Sequence, residues 1–468
     1  MVTYAPQTTV NDWNKIMNKP IQNSKDTPLK STESTEAVMQ DVLSLAQRLG
    51  ASDASVSIQG DHGFSVDVRM GAVETLAFHE SCSLGVTIYQ GHCRGSASTS
   101  DMSLASIEAT VTAANDIAKI TAADPCFGLA DKALILTEPM DLDLYHPWEV
   151  TPDEAIHLAL DCEREALALD KRIVNSDGAN VSTYTSFSGF ADSFGRREVV
   201  QSSRHTLSLS LIASEAGMMQ RDYDYTTARR VELLQNPAFV AKTAVERALS
   251  RLGARKIKTQ KAPVLFSSRL SSSLFSSLIG AISGSNLYRK HSFLLDALDT
   301  EIFPSYIQVY EKPHIKGALG SAMTDDDGVP TRDNVFIKNG VLTQFALGCY
   351  DARRLNLKTT ANSGGVCNLT IDATAGDLPA LIKIMGRGLL VTELMGQGLN
   401  LLTGDYSQGA CGFWVEDGKI QFPVEEVTIA GRLQDIYKHV IAVGSDVNPN
   451  YSTRCGSVLI EEMTIAGE

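Results

Sequence analysis

Apolar positions along the chain change their period several times, and each change marks an element. Val38, Val42, Leu45 and Leu49 recur at helical spacing, with Gly50 placed to stop the helix in a left-handed conformation. Phe64, Val66, Val68 and Met70 then alternate with smaller or polar residues up to Gly71, and Val86 and Ile88 alternate before Gln90-Gly91, the pattern of turning strands. From Asp101 the helical period returns, with Leu104, Ile107, Val111, Ala114 and Ile117 on one face. Thr151-Pro152-Asp153-Glu154 has every part of a capping box, and Ile156, Leu160 and Leu167 give the following helix its expected buried face. Strands are expected at Thr183–Phe187 and around Leu207, Leu209 and Leu211. A helix carrying Ala241, Ala244, Ala248 and Leu252 then closes the unit. Residues 51–122 and 172–253 thus share one plan, meandering strands and a closing helix, which reads as a duplication.

A third region opens near Pro263. Asn339-Gly340 and Asp417-Gly418 each separate two alternating runs, and both dipeptides tolerate the positive φ of a type I′ turn. Helices are expected near 378–385 and 433–441. The reading is an α+β chain: a flexible tail over 1–34, an α+β region with two strand-meander-plus-helix repeats over 35–253, and a β-rich C-terminal domain over 263–468.

Composition narrows the function classes. A formal net charge of −14 over 468 residues disfavours nucleic acid as a partner. The densest basic stretch, Arg251 to Lys261, falls at a helix end and reads as solvated. No run approaches the ~18 apolar residues of a membrane span. The first residues lack the apolar stretch of a secretory signal, and the eight cysteines are scattered without a CxxC, so a cytoplasmic location with reduced, mostly buried thiols is expected.

Motifs for chemistry are sparse. No two of the nine histidines are closer than eleven residues, so the helical pair of a zinc peptidase is missing. Gly404–Gly409 approaches a nucleophile elbow, but Asp405 stands where a glycine is needed, and a tight turn before a strand at Cys411–Phe413 is expected instead. Asp325-Asp326-Asp327-Gly328 lacks the alternating acids and the final glutamate of a calcium loop and reads as an acidic surface turn. The glycines of 386–388 and 396–398 complete no nucleotide fingerprint; those of 396–409 suit close approach of two backbones. Ser271–Asn286 (SSSLFSSLIGAISGSN) reads as a buried core helix packed by small residues.

Several long motifs resemble the PmbA (TldE) branch of the TldD/PmbA family. They are Leu287–Lys290 (LYRK) with Phe293–Asp296 (FLLD), Val391–Gly398 (VTELMGQG), Thr403–Ser407 (TGDYS) with Gly409-Ala410, Gly412–Glu416 (GFWVE) and Cys455–Val458 (CGSV). The resemblance covers the chain from about Ala51 onward, more loosely in the first half. It implies two intertwined α+β repeats followed by a larger β-rich domain. Members carry the label of metallopeptidase, and some that of modulator of DNA gyrase. TldD-type chains bear two histidines and a glutamate on a helix of the third region, with a cysteine near the C-terminus as a further zinc ligand.

In an approximate alignment, Ser276, Ser277 and Ala281 of this chain stand at those three helical positions, and only Cys455 matches a ligand. Neither serine nor alanine replaces an imidazole on zinc, and serine cannot act as a carboxylate base. The resemblance therefore implies a non-catalytic subunit with no metal of its own and Cys455 vestigial. Zinc is expected in a TldD-type partner, and the pair would process unstructured or ribosomally made peptides; alone, the chain could form a homodimer. Gly396, Gly398, Gly404, Asp405, Tyr406, Ser407 and Gly409 are the expected peptide- or partner-binding positions. The alternatives are a peptidase in its own right through a dispersed site, and a protein-binding regulator of the gyrase-modulator kind.

Overall fold

A computed structural model describes residues 32–136 and 140–468. The first repeat runs α1 (Thr32–Arg48), β1 (Asp53–Arg69), β2 (Ala72–Gln90), β3 (Cys93–Thr99) and α2 (Leu104–Ile120). The second runs α3 (Pro152–Leu169), β4 (Ile173–Asp192), β5 (Arg197–Glu215), β6 (Met218–Ala228) and α4 (Pro237–Ser250). Residues 32–34, expected in the tail, are the first turn of α1; the rest of the expected tail lies outside the described residues.

All six strands form one antiparallel sheet in the order β3-β2-β1-β4-β5-β6. The repeats meet at β1 and β4, and each lends half a strand to the other's core. Val56 and Ile58 of β1 pack with α1 and α2, whereas Phe64, Val66 and Val68 of the same strand pack with α3 and α4. In β4, Ala191 joins the first core and Ala179 and Val181 the second. The capping box at Thr151 is complete.

The helix faces depart from expectation by about one position. Helix α1 buries Thr35, Met39, Val42 and Ala46, with Leu45 and Leu49 only partly covered. Helix α3 buries Ala155, Ala159, Cys162, Glu163 and Ala166, and sets Ile156, Leu160 and Leu167 at the flanks. In α2, Leu104 and Ile117 are exposed, while Thr110, Asn115 and Ala118 are buried. Small residues let a helix lie close on a sheet, so alanines take the contact line and larger side chains fill the margins. A Cβ at Gly189 of β4 would come within 3.0 Å of Thr35 and 3.1 Å of Met39, which shows how close α1 lies. Glu163 is buried for another reason. Its carboxylate accepts the backbone N–H groups of Met70 and Gly71 at 2.9 and 2.8 Å, holding the β1–β2 turn.

In the C-terminal domain β7 (Gln260–Phe266) leads into α5 (Ser271–Ile282) and α6 (Gly284–Tyr288). A small sheet follows, in the order β10-β9-β8-β11, from β8 (Val309–Glu311), β9 (Asn334–Lys338), β10 (Val341–Leu342) and β11 (Leu369–Ile371), with α7 (Cys349–Arg354) before β11. After α8 (Leu378–Met385) come β12 (Gly388–Met395), β13 (Leu399–Asn400), β14 (Asp405–Glu416) and β15 (Lys419–Arg432). The chain ends in α9 (Leu433–Lys438), β16 (Val440–Val443) and β17 (Val458–Ala466). Pairing runs β12-β7-β17-β15-β14, and β14 pairs again with β12, so these strands close on themselves as a barrel. Both expected hairpins are present: Asn339-Gly340 and Asp417-Gly418 have positive φ throughout. The last helix is shorter than expected, because the apolar run 440–443 pairs with β17 instead.

Candidate functional site

Helix α5 springs from the end of β7 and lies against the barrel. Leu274, Phe275, Leu278 and Ile282 join its core, where Phe275 stacks on Phe303 and the Tyr437 hydroxyl donates to the Leu274 carbonyl at 3.0 Å. The helix is not buried all round, as its composition suggested. Ser273 and Ser276 face outward, because this side of the domain carries no covering layer there.

The three positions expected to correspond to a metal site hold no donor set. Ser276 is exposed, the Ser277 hydroxyl donates back to the Ser273 carbonyl at 2.9 Å, and Ala281 is fully buried. Cys455 precedes β17, whose first residue Val458 pairs with Phe266 at the end of β7; this sets the cysteine beside the start of α5, near Ser271. Burial pushes the Cys455 thiol up to about 12, so it is held as a neutral thiol. The Ser271 hydroxyl acts on that thiol yet makes no well-formed hydrogen bond, and Ser267 is likewise buried without one. No imidazole or carboxylate completes the set, and among the described residues no three histidine, cysteine or acidic side chains converge on one point. Zinc does not fit these side chains. Sequence reasoning missed Ser271, whose only signal is its place at the head of the serine-rich helix.

The glycine-rich segment adjoins this helix. Leu401 lies 3.2 Å from where a Cβ on Gly280 would be, and the Leu401 carbonyl accepts the Phe293 N–H at 2.9 Å. A Cβ on Gly398 would fall 1.3 Å from the Ser407 carbonyl, so two backbones do approach closely here. Gly404, at φ +80°, turns the chain against Gln434; Gly396 turns it at φ +81° with open space around it; Gly409 has only ordinary contacts. Residues 405–409 were expected to be a turn, but they already belong to strand β14; the turn precedes them, at 401–404. Asp405 and Ser407 are exposed, and Asp405 accepts the Thr403 hydroxyl at 2.6 Å. Tyr406 is only 4 % exposed and packs edge-on to Phe266 in the barrel core, which makes it a core residue of this segment. Beside it Met395, Leu399 and Leu402 expose apolar side chains, and among the described residues β13 pairs with β14 on one side alone.

Two further sequence readings change. Arg251 is not solvated: it sits between Asp222 at 3.5 Å and Glu393 at 2.5 Å, while Arg269 reaches Asp222 at 3.1 Å. This cluster ties β6 of the sheet to β12 of the barrel. Asp325 is not a surface acid but accepts the N–H groups of Asp327, Val329 and Ser363 at 3.0, 2.9 and 3.0 Å. Burial and the charge of Asp327 push its carboxyl up to about 7.

Residues 54–118, 145–252 and 259–467 match, in turn, domain 1, the central domain and the C-terminal domain of the PmbA/TldA metallopeptidases. The chain is 45 % identical to metalloprotease PmbA of Escherichia coli O157:H7 over 443 residues, covering 94 % of this chain and 98 % of that one. It is 39 % identical to the PmbA homologue of Haemophilus influenzae over 450 residues, covering 96 % and 100 %. Its fold matches a crystal structure from Bacteroides thetaiotaomicron, named as a candidate modulator of DNA gyrase, with a TM-score of 0.88 at 27 % identity, over 94 % of this chain and 100 % of that one. No described helix is long and apolar enough to cross a membrane. By sequence over nearly its whole length, and by fold, the chain belongs to the PmbA branch of the PmbA/TldD metallopeptidase family.

Proposed function

We propose that this chain is the non-catalytic subunit of a two-chain peptidase of this family, shaping a peptide cleft whose zinc belongs to a TldD-type partner. One observation carries the reading: the serine-rich helix α5 keeps its length and its packing on the barrel but offers no imidazole and no carboxylate at 276, 277 or 281. A chain without a water-activating metal lacks the main source of rate acceleration in such peptidases. Cys455 is buried, its thiol pushed up by that burial, which makes it a poor nucleophile, and among the described residues it has no imidazole beside it to complete a metal site. The edge formed by β13 and the exposed side chains of Met395, Leu399 and Leu402 suits an extended peptide added as a strand, which binds through backbone groups irrespective of sequence. The same face suits the partner chain, or a second copy when the partner is absent. The setting is the cytoplasm.

The test is a peptide-cleavage assay on this chain, on a TldD-type chain and on their mixture. The reading expects no cleavage by this chain and metal-dependent cleavage by the mixture, unchanged by Cys455→Ala. Metal-dependent cleavage by this chain alone, abolished by Cys455→Ala, overturns it.

A further inference from the structure

Away from α5, a cavity of about 390 Å³ opens where the helix-free face of the sheet meets the C-terminal domain. Its floor is a row of hydroxyls from three adjacent strands, Ser57 of β1, Thr87 of β2 and Ser96 of β3 among them. Gly85 keeps the floor open, since a Cβ there would press to 3.1 Å from the Ser57 hydroxyl. The roof is rigid. Arg353 donates to the carbonyls of Cys126 and Gly128, the Tyr350 hydroxyl donates to Asp124 at 2.9 Å, and the Phe127 and Tyr350 rings stack at 5.0 Å.

Two opposite charges line this cavity, and neither is paired among the described residues. The Arg94 guanidinium, on β3, lies over the Phe127 ring at 5.9 Å and has no ion pair or hydrogen bond among the described residues. The Asp326 carboxylate, which lines the cavity from the C-terminal domain, likewise accepts no hydrogen bond among the described residues; Gly364 leaves it room, because a Cβ there would meet it at 2.3 Å. Neighbouring Asp327 is committed to the Cys349 N–H at 2.8 Å. Asp326 lies exposed at the cavity mouth, where partial desolvation and the charge of Asp327 push its carboxyl up; a cation beside the two carboxylates would relieve their repulsion. The volume is at the small end of the roughly 300–1,000 Å³ in which proteins hold small molecules.

We propose that this cavity binds a short zwitterion, a di- or tripeptide with both ends free, its carboxylate on Arg94 and its ammonium on Asp326. A planar guanidinium matches a carboxylate in two parallel bonds, and capture of free chain ends is a recurring mode of peptide recognition. That the zwitterion is a peptide and not another amino acid derivative rests on the function proposed above; the charge pattern does not. The site is then a place where short products or chain ends are held, apart from the β13 edge.

The test is calorimetric titration of the full chain with L-alanyl-L-alanine, its N-acetyl form, its C-terminal amide, and free alanine. The dipeptide should bind, and each blocked form should bind on the order of tenfold more weakly, since each loses one charge-assisted contact. Arg94→Ala should bind the dipeptide and its amide alike, and Asp326→Asn should bind the dipeptide and its acetyl form alike, with both variants keeping the native circular dichroism. Preference for free alanine would keep the site and move its ligand from peptides to amino acids. Absence of heat with the dipeptide at millimolar concentration, or equal binding of all forms by the unaltered chain, overturns the site. If that happens while the two-chain mixture still cleaves peptides, the pocket fails and the subunit reading stands; if the dipeptide binds and the mixture cleaves nothing, the pocket stands and the subunit reading fails.

Discussion

Replacing Gly340 by alanine should cost the protein several times what the same change costs at Gly418. The two glycines look equivalent: each ends a two-residue hairpin turn, at φ +79° and +66°, after a residue at +51° or +50°. Forcing an L side chain into this left-handed region costs roughly 1–2 kcal/mol in either place. Their surroundings differ. A Cβ at 418 would approach Lys383 Cα to 3.2 Å, which a shift of a few tenths of an ångström relieves. A Cβ at 340 would lie 2.3 Å from the Phe303 carbonyl oxygen and 2.8 Å from that of Pro304, and neither backbone atom can swing aside. Gly340 also donates to the Ile307 carbonyl at 3.0 Å and accepts from the N–H groups of Ile302 and Phe303 at 2.9 and 3.0 Å. Moving the turn off this shelf adds roughly 1–3 kcal/mol of overpacking strain and weakens hydrogen bonds worth about 1 kcal/mol each. The expected losses are therefore about 1–2 kcal/mol for Gly418→Ala and about 3–5 kcal/mol for Gly340→Ala. Urea unfolding followed by tryptophan fluorescence and circular dichroism, with equal slopes required of both variants, reads the difference. Equal midpoint shifts would refute the steric argument, and no shift in either variant would refute the hairpins themselves.

Three more outcomes follow from the same contacts. The purified chain, dialysed against trace zinc, should retain none in stoichiometric amount; about one tightly held zinc per chain by elemental analysis would sink the non-catalytic reading. Glu163→Ala should destabilise by about 1–2 kcal/mol, because it removes two charge-assisted hydrogen bonds to the backbone of the exposed Met70-Gly71 turn; a midpoint like that of the unaltered chain would deny the carboxylate its structural role. Thr151→Ala should cost about 1 kcal/mol through the lost cap. The Thr151 N–H and hydroxyl hold the Glu154 carboxyl below its ordinary value of 4.5, so its contribution is present above that value and fades as the pH falls through the lower folded one. A Thr151→Ala defect that grows on acidification would contradict this sign.

What was legible in the sequence was whatever a local rule dictates. The capping box at Thr151, the two hairpin turns and the strand alternation of Leu207, Leu209 and Leu211 each depend on a few consecutive residues, and each stands where it was expected. The helix faces slipped because hydrophobicity alone favours Leu and Ile, whereas a helix lying on a sheet selects small residues for its closest line. Glu163 and Arg251 escaped because their partners lie about 90 and 140 residues away along the chain, where no periodicity reaches. Tyr406 misled for a related reason. Flanked by exposed Asp405 and Ser407, it reads as part of a polar loop, but strand alternation in a closed barrel sends it inward.

In the reading proposed above, the serine-rich helix stands where a zinc-bearing partner carries its ligands. A helix that carries histidines and a glutamate must keep them hydrated or bound, since buried charged and polar groups without partners are costly. Serines remove that requirement: Ser277 satisfies its hydroxyl on the Ser273 carbonyl of its own helix, and Ser273 does the same on Leu270 at 2.7 Å. The inner face can then pack through Leu274, Phe275 and Leu278, and Gly280 lets Leu401 of the glycine-rich segment rest against the helix. Helix and segment therefore remain one structural unit without ligands to hold them. Deepening the buried side, by Ser277→Ala, should leave both stability and partner-dependent cleavage close to those of the unaltered chain, because it removes a hydroxyl that already bonds only to its own helix. A large loss of cleavage in the mixture, with the folded chain unchanged in thermal midpoint, would show that position 277 still takes part in the chemistry and that the subunit reading is wrong at its centre.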